Sequence, residues 1–170
     1  MGVKREEFLH PIDIGKGEVL REGKDIVIIA IGSTVYPALR AAEKLSDAGI
    51  RAAVINSRFL KPLDGTLLCD WAKKTGRILT VEENVLQGGF GSAVLELFQE
   101  RGLGSVQVTR LGIPDTFLEH GPQALLREKY GIDENGIIDG VRRMLGGEWS
   151  GSASTNQSET SERQRFHDPK

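Results

Sequence analysis

A single cysteine, Cys69, stands among 170 residues, so no intrachain disulfide can form and no site needing several thiolates can be built. That composition fits a reducing compartment. Surplus basic charge is also missing: 22 Lys plus Arg face 24 Asp plus Glu for a formal charge of -2, and no basic stripe runs along the chain to collect phosphates. Nucleic acid is therefore not an expected partner. Nowhere do roughly 18 apolar residues run together, and the opening MGVKREEFLH carries charge where a signal peptide needs an apolar stretch. No membrane contact is expected, and the sequence reads as that of a soluble cytoplasmic protein. Its hydrophobic content of 39% is enough for one globular core.

What is present alternates. EVL, REGK and DIVIIAI read as a strand, a turn and a strand whose two faces are both apolar, the pattern of a strand covered by helices on both sides. Val35, Ala38, Leu39, Ala42 and Leu45 recur at helical spacing, with Gly49 where a helix C-terminus belongs. RAAVIN then gives a strand, PLDGTLLCDWAKKTG a helix ending near Gly76, and RILTVEE a third strand of this series. Phe90, Val94, Leu97 and Phe98 mark the next helix, SVQVTRL a further strand, and PQALLREKYG and DENGIIDGVRRML two closing helices. Such alternation implies a mostly parallel α/β sheet with right-handed crossovers. EVL would add an edge strand, possible in antiparallel sense. The expected organisation is a linker over 1–11, one domain over 12–145, and from Gly146 onward a polar tail too poor in aliphatic residues to offset its ordering entropy.

The stretch TVEENVLQGGFGSAVLEL places two carboxylates at a strand end and glycines at a helix start. Neither phosphate motif fits. A dinucleotide fingerprint needs G-x-G-x-x-G in the first β-α unit, and a Walker loop needs Gly-Lys-Ser/Thr. Gly88, Gly89 and Gly91 are therefore expected to permit positive φ and a close helix-to-strand approach, with an anion site as the alternative. Glu82 and Glu83, adjacent on a strand, point to opposite faces and cannot act as an acid-base pair on one atom. One of them is expected to accept hydrogen bonds from loop or helix N-terminal amides, the other to meet solvent or another subunit.

Asp115, Glu119 and His120 lie close in sequence, but the other histidines, His10 and His167, sit near the termini, which disfavours a metal site. With no G-x-S-x-G elbow to supply a serine, His120 is expected in a loop or interface. Cys69, between Leu68 and Trp71 on a helix, is expected to be buried and inert. Arg58 and Lys61 could meet an anionic ligand or partner, with plain surface charge as the default. No complete catalytic set emerges.

Taken in order, IGKGEVLREGKDIVIIAIGS, NSRFLKPLD, TVEENVLQGGFGSAVLE and RLGIPDTFLEHG resemble the C-terminal, transketolase-C-type domain of 1-deoxy-D-xylulose-5-phosphate synthase, over about Ile12 to Leu145. The resemblance implies a three-layer α/β/α fold with a mixed, mostly parallel five-stranded sheet. It implies a full-length transferase that condenses pyruvate with glyceraldehyde 3-phosphate, releasing carbon dioxide, at the entry of the methylerythritol phosphate route of isoprene biosynthesis. Thiamine diphosphate and magnesium would be held by N-terminal and middle domains, whose Gly-Asp-Gly motif is absent here. This chain alone is then expected to bind no cofactor and to carry no catalytic residue. It looks like an excised domain or a separately encoded fragment. Glu82, Glu83, Asn84, Gly88, Gly89 and Gly91, with His120, become the candidate contacts to the other domains and to a homodimer partner. The competing expectations are an autonomous domain sensing an anion or small molecule at Gly88 to Gly91 and Arg58, and the C-terminal subunit of a split transketolase-like enzyme.

Overall fold

The computed structural model describes residues 11–146. Its centre is the strand β2, Ile26–Ala30, every residue of which is fully buried. A continuous apolar run can sit only where both faces are covered, and both are. On one face Ile26, Ile28 and Ala30 meet α1, Val35–Asp47, through Ala38, Ala41, Ala42 and Leu45, and α5, Glu134–Met144, through Ile137, Ile138 and Val141. On the other, Val27 and Ile29 meet α2, Gly65–Thr75, and α3, Phe90–Glu100, through Leu68, Trp71, Phe90, Val94 and Phe98. Each large side chain buried in this way contributes about 1.5–3 kcal/mol.

The remaining strands are β1, Glu18–Arg21; β3, Ala52–Asn56; β4, Arg77–Val85; and β5, Gln107–Ile113. They order as β1-β3-β2-β4-β5, parallel throughout except for β1, which runs antiparallel to β3. The chain steps from β2 to β3 on one side, then crosses back over β2 to β4 and on to β5. Right-handed crossovers in these opposite directions put α1 on one face and α2 and α3 on the other. The two separate apolar clusters have that membership. The fold is thus a mixed five-stranded sheet between two helical layers: the alternation implied its mostly parallel α/β character, and the family resemblance its five strands and three layers.

Local details depart from the sequence reading at element ends. A turn of 3-10 helix, Gly32–Thr34, precedes α1. Helix α2 starts at Gly65 rather than near Pro62, because Asp64 caps it by accepting the Leu67 amide at 3.2 Å. Strand β4 continues past the acidic pair to Val85, with its register against β5 interrupted between Val81 and Val85. The last short helix is α4, Gln123–Lys129. Of the expected linker, residues 1–10 lie outside the described residues, as does the expected tail beyond Gly146.

Candidate functional site

In open parallel sheets ligands collect outside the carboxyl ends of the strands, where the direction of crossover reverses. Here that point lies between β2 and β4, and Glu82 and Glu83 occupy the β4 side of it. Alternation along the strand sends the two carboxylates to opposite faces.

Glu82 turns toward α3 and is fully buried. Its Oε2 accepts the Phe90 amide at 2.6 Å and its Oε1 the Gly91 amide at 2.8 Å. A helix N-terminus offers unpaired N–H groups and a partial positive charge, and the carboxylate satisfies both. The N-cap residue, Gly89, has no side chain to do this itself. A Cβ on Gly89 would collide with the Val85 carbonyl and with the Glu82 carboxylate, and one on Gly91 would stand 2.7 Å from Thr80 Oγ1 and 2.8 Å from Arg110 Cδ. Both glycines therefore serve close approach. Only Gly88 of the three has positive φ, at 73°, so the expectation of positive φ for the whole cluster is corrected: Gly89 sits at φ -80° and Gly91 within the helix.

The turn between β4 and α3 is tied from β5. Arg110 Nη1 donates to the Leu86 carbonyl and to Ser92 Oγ, both at 2.8 Å; Ser92 Oγ donates to the same carbonyl at 2.8 Å and accepts the Gly88 amide at 3.1 Å. The Ser92 hydroxyl is thereby fully used. Nothing in the sequence singles out Arg110 except that it is a charge inside an apolar strand. The loop so fixed exposes Asn84, Val85, Gln87 and Gly88.

Glu83 turns to the other face. It accepts from Ser33 Oγ beyond β2, from Arg127 Nε at 2.6 Å and from Gln123 Nε2 at 3.3 Å. Burial pushes its carboxyl up, but the bonds from Ser33, Arg127 and Gln123 and the Arg127 charge outweigh this and hold it below the ordinary glutamate value. Side chains of the chain itself thus bridge the crevice between β2 and β4. Arg127 has no local sequence signal either, since its partner lies 44 residues away.

The other candidates are scattered. His120 and Asp115 are exposed in the loop before α4, and Glu119 there pairs with Lys129 at 3.1 Å. Among the described residues no group of three His, Cys, Asp or Glu stands together for a metal, and His10 and His167 lie outside them. Cys69 is buried; burial raises its thiol pKa against the pull of Arg101 and Lys73. Arg58, at φ 56°, is held by Glu18 of the edge strand β1 at 2.5 Å and is not brought to the glycine turn. A feature without sequence warning is the apolar display beyond β5: Phe117 is wholly exposed, Leu125 61% and Leu118 40%. No described helix is long and apolar enough to cross a membrane.

Comparison with known proteins gives the same placement. The chain is 53% identical over 146 residues to "1-deoxy-D-xylulose-5-phosphate synthase 1" of Geobacter metallireducens, covering 86% of this chain and 23% of that protein. It is 55% identical over 144 residues to the protein of the same name from Geobacter sulfurreducens, again covering 23% of it. The chain therefore spans about a quarter of the length of these curated relatives. Among solved structures, one described as "Split gene transketolase, inactive beta4 tetramer" matches with a TM-score of 0.75 at 40% identity, covering 84% of this chain and 46% of that one. The family described as the transketolase C-terminal domain matches residues 15–137, and with the mixed five-stranded sheet already traced through those residues, this chain belongs to that family.

Proposed function

We propose that this chain is the C-terminal domain of a thiamine-diphosphate-dependent 1-deoxy-D-xylulose-5-phosphate synthase, working in the cytoplasm, and that its task is to pack against the N-terminal and middle domains and to support homodimer assembly. The observation that carries the docking role is what fills the sheet's carboxyl edge. Glu82 takes the α3 amides that a phosphate would use, and Glu83, Ser33 and Arg127 close the crevice beside them. With the α3 amides taken by Glu82 and the crevice bridged by the chain's own side chains, the reaction in this reading belongs to the rest of a longer protein, of which this chain would be about a quarter. Exposed Phe117, Leu118 and Leu125, together with the hydrogen-bonded loop at Asn84 and Gly88, would provide contact surface. Glu82 itself, being buried, would act only by holding that loop in shape.

The test is to assay pyruvate decarboxylation with thiamine diphosphate and magnesium on this chain alone, then with the N-terminal and middle region of a relative supplied as a second polypeptide. Turnover only in the mixture supports the docking role; turnover by the chain alone overturns it. A second reading, the C-terminal subunit of a split enzyme, draws support from the naming of the structural neighbour. A separate reading frame encoding a Gly-Asp-Gly domain beside this one would favour it.

A further inference from the structure

Residues 114–130 differ from the rest of the described chain in how they are held. Helix α4 has no buried residue. Beside it lies an open cleft of about 390 Å³, bounded by Arg40 and Lys44 of α1, Ala124 and Glu128 of α4, and Asn135 of α5. The side-chain hydrogen bonds of α4 to the body come from Gln123 and Arg127, one helical turn apart, both donating to Oε1 of Glu83. We propose that 114–130 is a strap that opens and closes as a unit over the crevice between β2 and β4, with the Glu83 carboxylate as its latch.

Both ends of the strap are anchored. At the first, Ile113 accepts the Leu86 amide at 2.8 Å and is paired with Val85. At the second, Ile132 is only 2% exposed within the core, and Gly136 of α5 packs against the backbone of Gly131, whose φ of 64° bends the chain. Between these anchors the Glu119–Lys129 ion pair lies wholly inside the strap and travels with it. A segment with few buried apolar contacts opens at lower free energy than the core around it, so the latch decides how often this one is closed. Opening uncovers Glu83 and Ser33. The inference shares the Glu83–Arg127 contact with the docking reading, but its test needs only this chain and reads strap opening, not assembly.

Hydrogen exchange read by mass spectrometry on the 170-residue chain tests it. In Glu83→Gln and in Arg127→Gln, peptides covering 115–130 are expected to exchange roughly tenfold faster, while those from β2, β4 and α5 keep their wild-type rates. The double variant should be no faster than either single one, since each removes the same latch. Glu119→Gln, whose ion pair does not cross to the body, should leave the rates unchanged. Wild-type rates over 115–130 in both latch variants would overturn the proposal. So would equal acceleration in β4 and α5, which would mean that no separate unit exists.

Discussion

Glu82 is the residue on which the carboxyl edge of the sheet depends, because a fully buried carboxylate is tolerated only when hydrogen-bond donors hold it. The Phe90 and Gly91 amides do so at 2.6 and 2.8 Å. Glu82→Ala leaves two buried donors without partners and should cost about 2–4 kcal/mol in urea unfolding. An unchanged midpoint would mean that the α3 N-terminus is satisfied some other way. Thr80 presents the opposite case. Its Oγ1 is buried with no hydrogen-bond partner among the described residues, two positions before Glu82 and beside Gly91. Thr80→Val keeps the branched shape and removes the orphan hydroxyl, so it should raise stability by about 1 kcal/mol. A lower thermal midpoint for this variant would contradict that expectation.

At the scale of elements, two glutamates join helices to their neighbours through charge. Glu134, in the first turn of α5, accepts from Lys44 at 2.6 Å and Arg40 at 2.8 Å on α1; the Lys44 bond, opposed by burial and aided by Arg40, sets its carboxyl below the ordinary value. Glu83 is lowered as well, against its own burial. A carboxyl with a lower pKa in the folded state than in the unfolded one stabilises fully above its unfolded value. As pH falls, the unfolded chain takes up the proton first, and the stabilisation drains away until the folded pKa is passed. Stability should thus be level near neutrality and decline from about the ordinary glutamate value of 4.5 downward. Glu83→Gln and Glu134→Gln should each flatten that acid limb in thermal melts taken across pH. An unaltered slope in both would remove these carboxyls from the acid response. The same residues mark how far the sequence could be read. Local periodicity and the continuous run of β2 are properties of neighbouring residues, so strands, helices and the opposed directions of Glu82 and Glu83 were legible. Which carboxylate faces α3 was not, because it depends on which face each crossover takes. Arg110 and Arg127 meet their partners 24 and 44 residues away, distances at which a single sequence leaves no imprint.

At the scale of the molecule, the two apolar clusters close the sheet on both faces, yet beyond β5 the chain leaves Phe117, Leu118 and Leu125 in solvent. Large apolar side chains in solvent gain nothing for the isolated fold, and a surface that covered them would recover that cost. In the proposed docking role that surface would belong to the rest of a longer protein, since this chain spans only 23% of each of these relatives. The two consequences can be separated. Replacing both Phe117 and Leu125 by serine should shift the stability of this chain by no more than about 0.5 kcal/mol, because neither side chain is buried. The same change should weaken association with a supplied N-terminal and middle region by at least about tenfold, as removing exposed apolar anchors does at an interface. Melting curves of the free chain and titration calorimetry of the mixture measure the two effects independently. Undiminished association would place the contact elsewhere, and the loop of Asn84 to Gly88 would then be the next surface to alter.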